Sequence, residues 1–332
     1  MTDIDDTIIP SGIMPDSEWM GWLIDKLRCL KKHHIGWVPM TGVAIDKLGP
    51  RILDRLPADI CSNIIYYGGD GSQKYYFDKA TQKWKEDTQY RRVLSDAQTL
   101  AILGDAGFNR AFVSGPAEVE RRRREARTIL HEGGFNSTEG LLGEMANILQ
   151  KHGFGEHKAE TYFRGGSISW MMLGDVSVEP YQRKEAINTR AELLEYGKSR
   201  LRDEVYLRRF GSDEVHIPFH GSRGIKFVLK NNDKERGTRD LIKAESLTAN
   251  SIIFTGNELF EGGNDHVITR VEGVSLISVG TKVEENSLII RGGTGIEAYK
   301  TWMEHICMAL EAGVSWPDVI EDIHTGKFSY SE

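Results

Sequence analysis

The spacing of apolar residues divides the chain into alternating helical and extended segments. From Asp16 to His33, the residues Trp19, Trp22, Leu23, Leu27 and Leu30 recur at helical intervals and mark one buried face. Asp16, following Pro15, is placed to cap that helix. The short apolar run from Ile35 to Met40, closed by Thr41-Gly42, reads as a buried strand. A second helix is expected from about Ala44 to Arg55, stopped by Pro57. Another apolar stretch, Ile60 to Tyr67, is broken by Gly68-Gly69 and Asp70-Gly71, and Tyr75 to Phe77 reads as one arm of a hairpin. Strand and helix in alternation argue for right-handed crossovers and a mostly parallel sheet.

The pattern changes near residue 93. Pro116 to Glu132 predicts a charged helix, and Thr138 to Lys151 a second one, capped by Ser137 or Thr138. Thr161 to Leu173 is rich in strand formers, Lys184 to Arg209 predicts a long charged helix, and two short strands follow at Glu214 to Pro218 and Gly224 to Leu229. Alternation then returns: a helix from Asp233 to Leu247, a strand from Ser251 to Thr255, a glycine-rich loop to Asp265, a strand near Val274 to Val279, and helices from Gly295 and Trp316. The expected architecture is an α/β core of residues 1–92 and 231–332, interrupted by an inserted α+β domain of residues 93–230.

Composition excludes several classes. Of 332 residues, 42 are Lys or Arg and 49 are Asp or Glu, and a net charge of −7 sets up no field that draws the molecule onto nucleic acid or an anionic membrane. No run approaches about 18 apolar residues, and the start lacks a basic-then-apolar leader, which argues against membrane and secreted readings. Cys29, Cys61 and Cys307 lie far apart without metal spacing and suit a reducing cytoplasm, the expected location. No dinucleotide-binding glycine motif and no Gly-x-Ser-x-Gly elbow is present. His33-His34 at a helix end suits capping, and Arg121 to Arg124 cover all sides of a helix, as a solvated surface does. The oligomeric state is left open, a homodimer included.

The candidate chemistry starts at Asp3-Ile4-Asp5-Asp6-Thr7. Side chains two apart in an extended segment point the same way. A carboxylate can attack phosphorus while a second one moves the leaving-group proton, and clustered acids suit Mg²⁺. Three further stretches complete a set: Val38-Pro39-Met40-Thr41-Gly42, Asp233-Lys234-Glu235-Arg236-Gly237, and Gly256-Asn257 through Gly262-Gly263-Asn264-Asp265-His266. In order and in element type, the four resemble the motifs of the haloacid dehalogenase superfamily of phosphotransferases. Thr41 at a strand end can donate its hydroxyl to a phosphoryl oxygen, Lys234 at a helix start can offset its charge, and the glycines before Asp265 let the backbone bend tightly.

The fourth stretch, together with Phe163-Arg164-Gly165-Gly166-Ser167 and Ile225-Lys226-Phe227-Val228, is similar to eukaryotic-type phosphomannomutases. The insertion falls where type IIB (C2) caps of the superfamily sit. The resemblance implies a Rossmann-like core with a substrate-selecting cap. It implies Asp3 and Asp5 as catalytic residues and Thr41, Gly42 and Lys234 as phosphate-binding residues. It further implies Mg²⁺ held by Asp3, Asp5, Asn257 and Asp265, with Arg164 and Arg183 as cap residues touching substrate. The chain departs from the family at Asn257, where an aspartate is usual, at Asp6, where a glycine is usual, and before Asp3, where Met1 and Thr2 leave only a short strand. Leu173-Gly174-Asp175 lacks the arginine of the mutase pattern, so a second phosphate has no evident clamp. The expected function is therefore a Mg²⁺-dependent phosphatase acting on a small phosphorylated metabolite, a sugar phosphate, through an aspartyl-phosphate. A phosphohexomutase and a catalytically silent binding or regulatory protein of the same fold are the alternatives.

Overall fold

A computed structural model of the chain describes residues 1–10, 13–111, 116–132, 139–154, 159–163, 167–174, 178–202, 215–217, 224–282 and 289–325. The chain forms two compact units: Met1–Arg91 with Asn231–Glu332, and Arg92–Lys230.

The first unit is built on a sheet whose middle is parallel. Strands β1 (Ile65–Gly68), β2 (Gln73–Asp78) and β3 (Lys83–Glu86) form an antiparallel meander. At the other side, β8 (Ile253–Gly256), β9 (Ser275–Ser278) and β10 (Ile289–Arg291) run parallel. Residues too few to count as regular strands join these two groups. Thr2 bridges in parallel to both Pro39 and Thr255, and Trp37 and Met40 bridge to Ile64 and Tyr67. The first three residues are thus a central strand: Thr2 N donates to Val38 O (3.0 Å), Met40 N to Thr2 O (2.9 Å), Asp3 N to Thr255 O (2.9 Å) and Thr255 N to Met1 O (3.0 Å). Short as it is, that strand has its backbone groups paired on both sides, which a buried parallel sheet requires.

Side-chain alternation divides the core into two faces. Trp37, Tyr66, Ile253 and Ile277 belong to one apolar cluster, with Leu23, Leu27, Trp302 and Ile306. Their sequence neighbours Val38, Tyr67, Phe254 and Leu276 belong to another, with Leu241 and Ile268. The period-two pattern of a strand puts successive side chains on opposite faces, so each of these apolar runs is buried twice over. The helices Ser17–Lys32 and Gly295–Glu311 pack together in the first cluster.

Several elements differ from the periodic reading for local reasons. The helix expected to Arg55 stops at Arg51, with Pro50 inside it, and becomes a 3-10 turn at Leu53–Arg55 after Ile52 takes φ −134. Ile60 to Tyr67 is not one strand: Ala58–Cys61 is a helical turn opened by Pro57, and only Ile65 onward is extended. In the second unit the pattern missed the Asp96–Ala111 helix, which is interrupted at Gly104 (φ 66, ψ −179). The Pro116–Glu132, Gly140–Lys151 and Lys184–Arg202 helices occur with an antiparallel sheet in the order β4 (Glu160–Phe163), β5 (Ser167–Met171), β7 (Ile225–Leu229), β6 (Val215–His216). Ser137, Thr138 and residues 203–209 of the expected long helix lie outside the described residues. Arg121, Arg122 and Arg123 are paired with Glu118 and Glu125, Asp96, and Glu120 respectively.

Two helices end alike. After Gly295–Glu311, Val314 N donates to Ala309 O and Gly313 N to Leu310 O, both at 3.0 Å, with Gly313 at φ 86. After Ser17–Lys32, Ile35 N donates to Leu30 O (2.9 Å) and His34 N to Lys31 O (3.0 Å), with His34 at φ 59. The motif demands left-handed backbone at that position, which glycine takes freely and histidine does not. Replacing His34→Gly should therefore stabilise the protein by about 1 kcal/mol. A rise in the midpoint of urea unfolding checks it, and an unchanged or lower midpoint would count against it.

Candidate active site

Three segments far apart in sequence meet at the C-terminal ends of the central strands. Asp3 ends the first strand, Asn257 follows β8, and Lys234 opens the Lys234–Ala244 helix. Asp233 caps that helix, its side chain accepting from Arg236 N (3.0 Å). The Arg236 guanidinium fixes the helix start against the meander. It donates to Gly71 O (3.2 Å), Asn232 Oδ1 (3.0 Å) and Tyr90 O (2.6 Å), and it lies over the Tyr90 ring at 4.0 Å. Gly71 is required here: at φ 85, a Cβ would come within 2.2 Å of Asp233 O.

This placement brings the Lys234 ammonium to 2.6 Å from Asp3 Oδ1 and 2.5 Å from Asp265 Oδ1. The lysine is fully buried and its Nζ lies 5.9 Å from the centre of the Phe254 ring. Burial disfavours its charge, but the two carboxylates outweigh that and hold its pKa above the usual lysine range. Burial pushes the Asp3 carboxyl up to about 8; Lys234 pulls the other way, and the charges of Asp265 and Asp5 push it further up. An ammonium between two carboxylates satisfies charges that would otherwise be buried alone.

The loop carrying Asp265 folds back on itself. Asp265 N donates to Glu258 O and Glu258 N to Asp265 Oδ2, both at 3.1 Å, and Asn264 N donates to Glu258 Oε2 (3.2 Å). Gly263 permits the close approach, since a Cβ there would meet Glu258 O at 2.1 Å. Burial, then the Asp265 charge, raises the Glu258 pKa.

The Thr7 hydroxyl can donate to Asp3 Oδ2 (3.5 Å) or Asn257 Oδ1 (3.2 Å), so two oxygens from distant segments converge on one point. Among the described residues, no three His, Cys, Asp or Glu side chains form a metal-ligating cluster. The available set is Asp3, Asp265 and the Asn257 amide, and such hard oxygen donors fit Mg²⁺. Asp6, at φ 58, adopts the left-handed conformation that glycine takes most freely.

The remaining candidates fall in different places. Thr41 is buried, its Oγ1 accepting from Val43 N (3.2 Å), which leaves the hydroxyl proton available to a ligand. Gly42 lies against Asp70: a Cβ on Gly42 would stand 2.8 Å from Asp70 Oδ1. Asp5 is in an ion pair with Arg51, Oδ1 to Nη2 at 2.9 Å. Arg183 is exposed and paired with Glu179 one helical turn away. Arg164 lies outside the described residues.

Sequence reasoning passed over two contributors. One is Arg51. The other is Asp70, buried at φ 56 between two glycines, whose N–H donates to Thr41 O (3.0 Å) and whose Oδ1 accepts from Asn264 Nδ2 (3.1 Å). It ties the Thr41 loop to the Asp265 loop. The Gly69-Asp70-Gly71 triplet was the available signal, since flanking glycines mark a tight backbone turn.

No protein-family model matches the sequence. A search of curated proteins finds no match either. Among solved structures, an IMP-bound mutant form of Plasmodium falciparum IMP-nucleotidase is similar over 92% of this chain and 66% of its own, with a TM-score of 0.50 and 13% identity. The chain therefore spans just under two thirds of that nucleotidase. Aspergillus fumigatus trehalose-6-phosphate phosphatase follows at TM-score 0.45 and 10% identity, covering 92% of this chain and 91% of that one. Sucrose-phosphatase from Synechocystis sp. PCC6803 has TM-score 0.45 and 11% identity, covering 96% of each chain. At such identities the nucleotidase likeness speaks to architecture: the chain has the haloacid dehalogenase fold, a Rossmann-like α/β core with an inserted α+β unit.

Proposed function

We infer that this protein is a phosphoric monoester hydrolase acting on a small phosphorylated metabolite, a sugar phosphate, with Asp3 as nucleophile. The observation that carries the reading is the Lys234 ammonium held at 2.6 Å from Asp3 and 2.5 Å from Asp265 at the C-terminal edge of the sheet. An attacking carboxylate and a phosphate dianion repel each other, and a fixed cation beside them lowers that repulsion most where charge builds up in the transition state.

In the first step an Asp3 oxygen attacks phosphorus and the bond from phosphorus to the leaving oxygen breaks. Asp5 gives its proton to that oxygen. In the second step water attacks the phosphorus of the aspartyl-phosphate, giving a proton back to Asp5, and inorganic phosphate leaves with the Asp3 carboxylate restored. The Thr41 hydroxyl and the Gly42 N–H hold phosphoryl oxygens through both steps. Asp3, Asp5, Asn257 and Asp265 are the groups that would hold Mg²⁺, which when bound supplies charge neutralisation at the phosphoryl oxygens. The inserted unit, residues 92–230, is proposed to select the substrate, with Arg164 and Arg183 among its contacts. Among the described residues, no helix is long and apolar enough to cross a membrane.

The test is phosphate release from a panel of sugar phosphates and nucleotides, with and without Mg²⁺. Chelation should abolish turnover and Mg²⁺ restore it. Asp3→Asn should lower kcat by about 1,000-fold or more with an unchanged thermal melt; a folded, active Asp3→Asn protein would refute the mechanism. Lys234→Met leaves two buried carboxylates facing each other and should cost about 3 kcal/mol of stability. Because a bound cation can replace the lost charge, Mg²⁺ should raise the melting temperature of Lys234→Met more than that of the parent. No shift in either protein would argue that no cation binds beside Asp3.

A further inference from the structure

The ion pair between Asp5 and Arg51 is more than a surface contact. The Arg51 side chain is only 11% exposed and that of Asp5 only 21%. The guanidinium has further anchors: Nε donates to Ile13 O (3.1 Å) and Nη2 also to Pro10 O (3.3 Å). One turn on, the Arg55 guanidinium donates to Pro15 O (2.6 Å) and Asp16 O (3.4 Å). Two arginines, one ending the Ile45–Arg51 helix and one in the following 3-10 turn, thus grip the stretch between the Asp3 loop and the first long helix. Asp5 itself sits on a tight turn, where Asp6 N donates to Ile9 O at 2.7 Å. It lies two positions along the chain from Asp3.

A short acidic side chain on a turn has two free torsions, and proton transfer needs its oxygen within hydrogen-bond reach of one particular atom. A planar, multiply anchored guanidinium removes that freedom. We propose that Arg51 is a positioning residue for the phosphatase reaction: it fixes the orientation of the Asp5 carboxylate beside Asp3 and takes no part in the chemistry itself. The inference rests on the reading of Asp3 and Asp5 given above and adds to it a residue lying 46 positions along the chain from Asp5.

A double-mutant cycle tests it on the full chain with Mg²⁺ and the best substrate of the panel. Arg51→Ala should lower kcat by about 10- to 100-fold, the scale of a misplaced catalytic group, with KM little changed. Arg51→Lys should recover part of the loss as a point charge. In the presence of Asp5→Asn, Arg51→Ala should have no further effect, because its route to the reaction is already gone. The same fold-loss with and without Asp5→Asn would overturn the proposal and assign Arg51 to holding the Pro10 and Ile13 carbonyls. Should Arg51→Ala melt early, Arg51→Gln, which keeps a carbonyl-directed donor but no charge, goes through the same cycle with the same two outcomes. A parent protein that releases no phosphate overturns the proposed function and this inference with it; an active parent with an additive cycle overturns this inference alone.

Discussion

The C-terminal edge of the sheet depends on one buried ammonium lying between two carboxylates. Taking an ion the size of Lys234 out of water costs several kcal/mol even after relaxation, and each neighbouring carboxylate bears a similar penalty. Opposite charges about 3 Å apart return roughly 5 kcal/mol at an effective dielectric near 20, so one lysine shared by two acids makes an arrangement no single pair would. The geometry has to be held firmly for this to work. Asp233 caps the helix that starts with Lys234, Gly71 lets the meander approach that cap, and the Glu258–Asp265 backbone pairing fixes the other acid. Each is a packing or hydrogen-bonding feature with no chemistry of its own.

The surrounding fold serves the same end. Parallel strands bring their C-terminal ends to one side, which gathers Asp3, Thr41 and Asn257 from strands that neighbour one another in space but are scattered in sequence. Asp70, in left-handed backbone under Gly42, connects two of the resulting loops through Thr41 and Asn264. The edge is therefore a cross-linked set of loops on central strands buried on both faces.

Much of this is legible from residue order, and the misses have physical causes. Helices with a clean apolar stripe, such as Ser17–Lys32 with its Asp16 cap, follow from spacing alone. The Asp96–Ala111 helix does not, because Leu100 to Leu103 are all buried and leave no polar face to set a period, and Gly104 interrupts it. The three-residue strand β10 is too short to carry a pattern. The ordered motifs are enough to expect Asp3, Lys234 and Asp265 at one sheet edge, and there they meet. Arg51 stayed hidden because its contact with Asp5 spans 46 positions and belongs to no local repeat. An arginine next to Pro50 in a short helix reads as surface until the fold closes around it.

The place of the first three residues bears on how the polypeptide assembles during synthesis. Thr2 is flanked by Pro39 on one side and by Thr255 on the other. Pro39 follows Thr2 by 37 positions, but Thr255 comes only after the whole of residues 92–230 has been made. The nascent core must wait with an open seam at its centre while the middle unit can already have folded. The late-arriving strand then closes the seam, flanked within 31 positions of chain by the helix start and the acidic loop that make the buried charges tolerable.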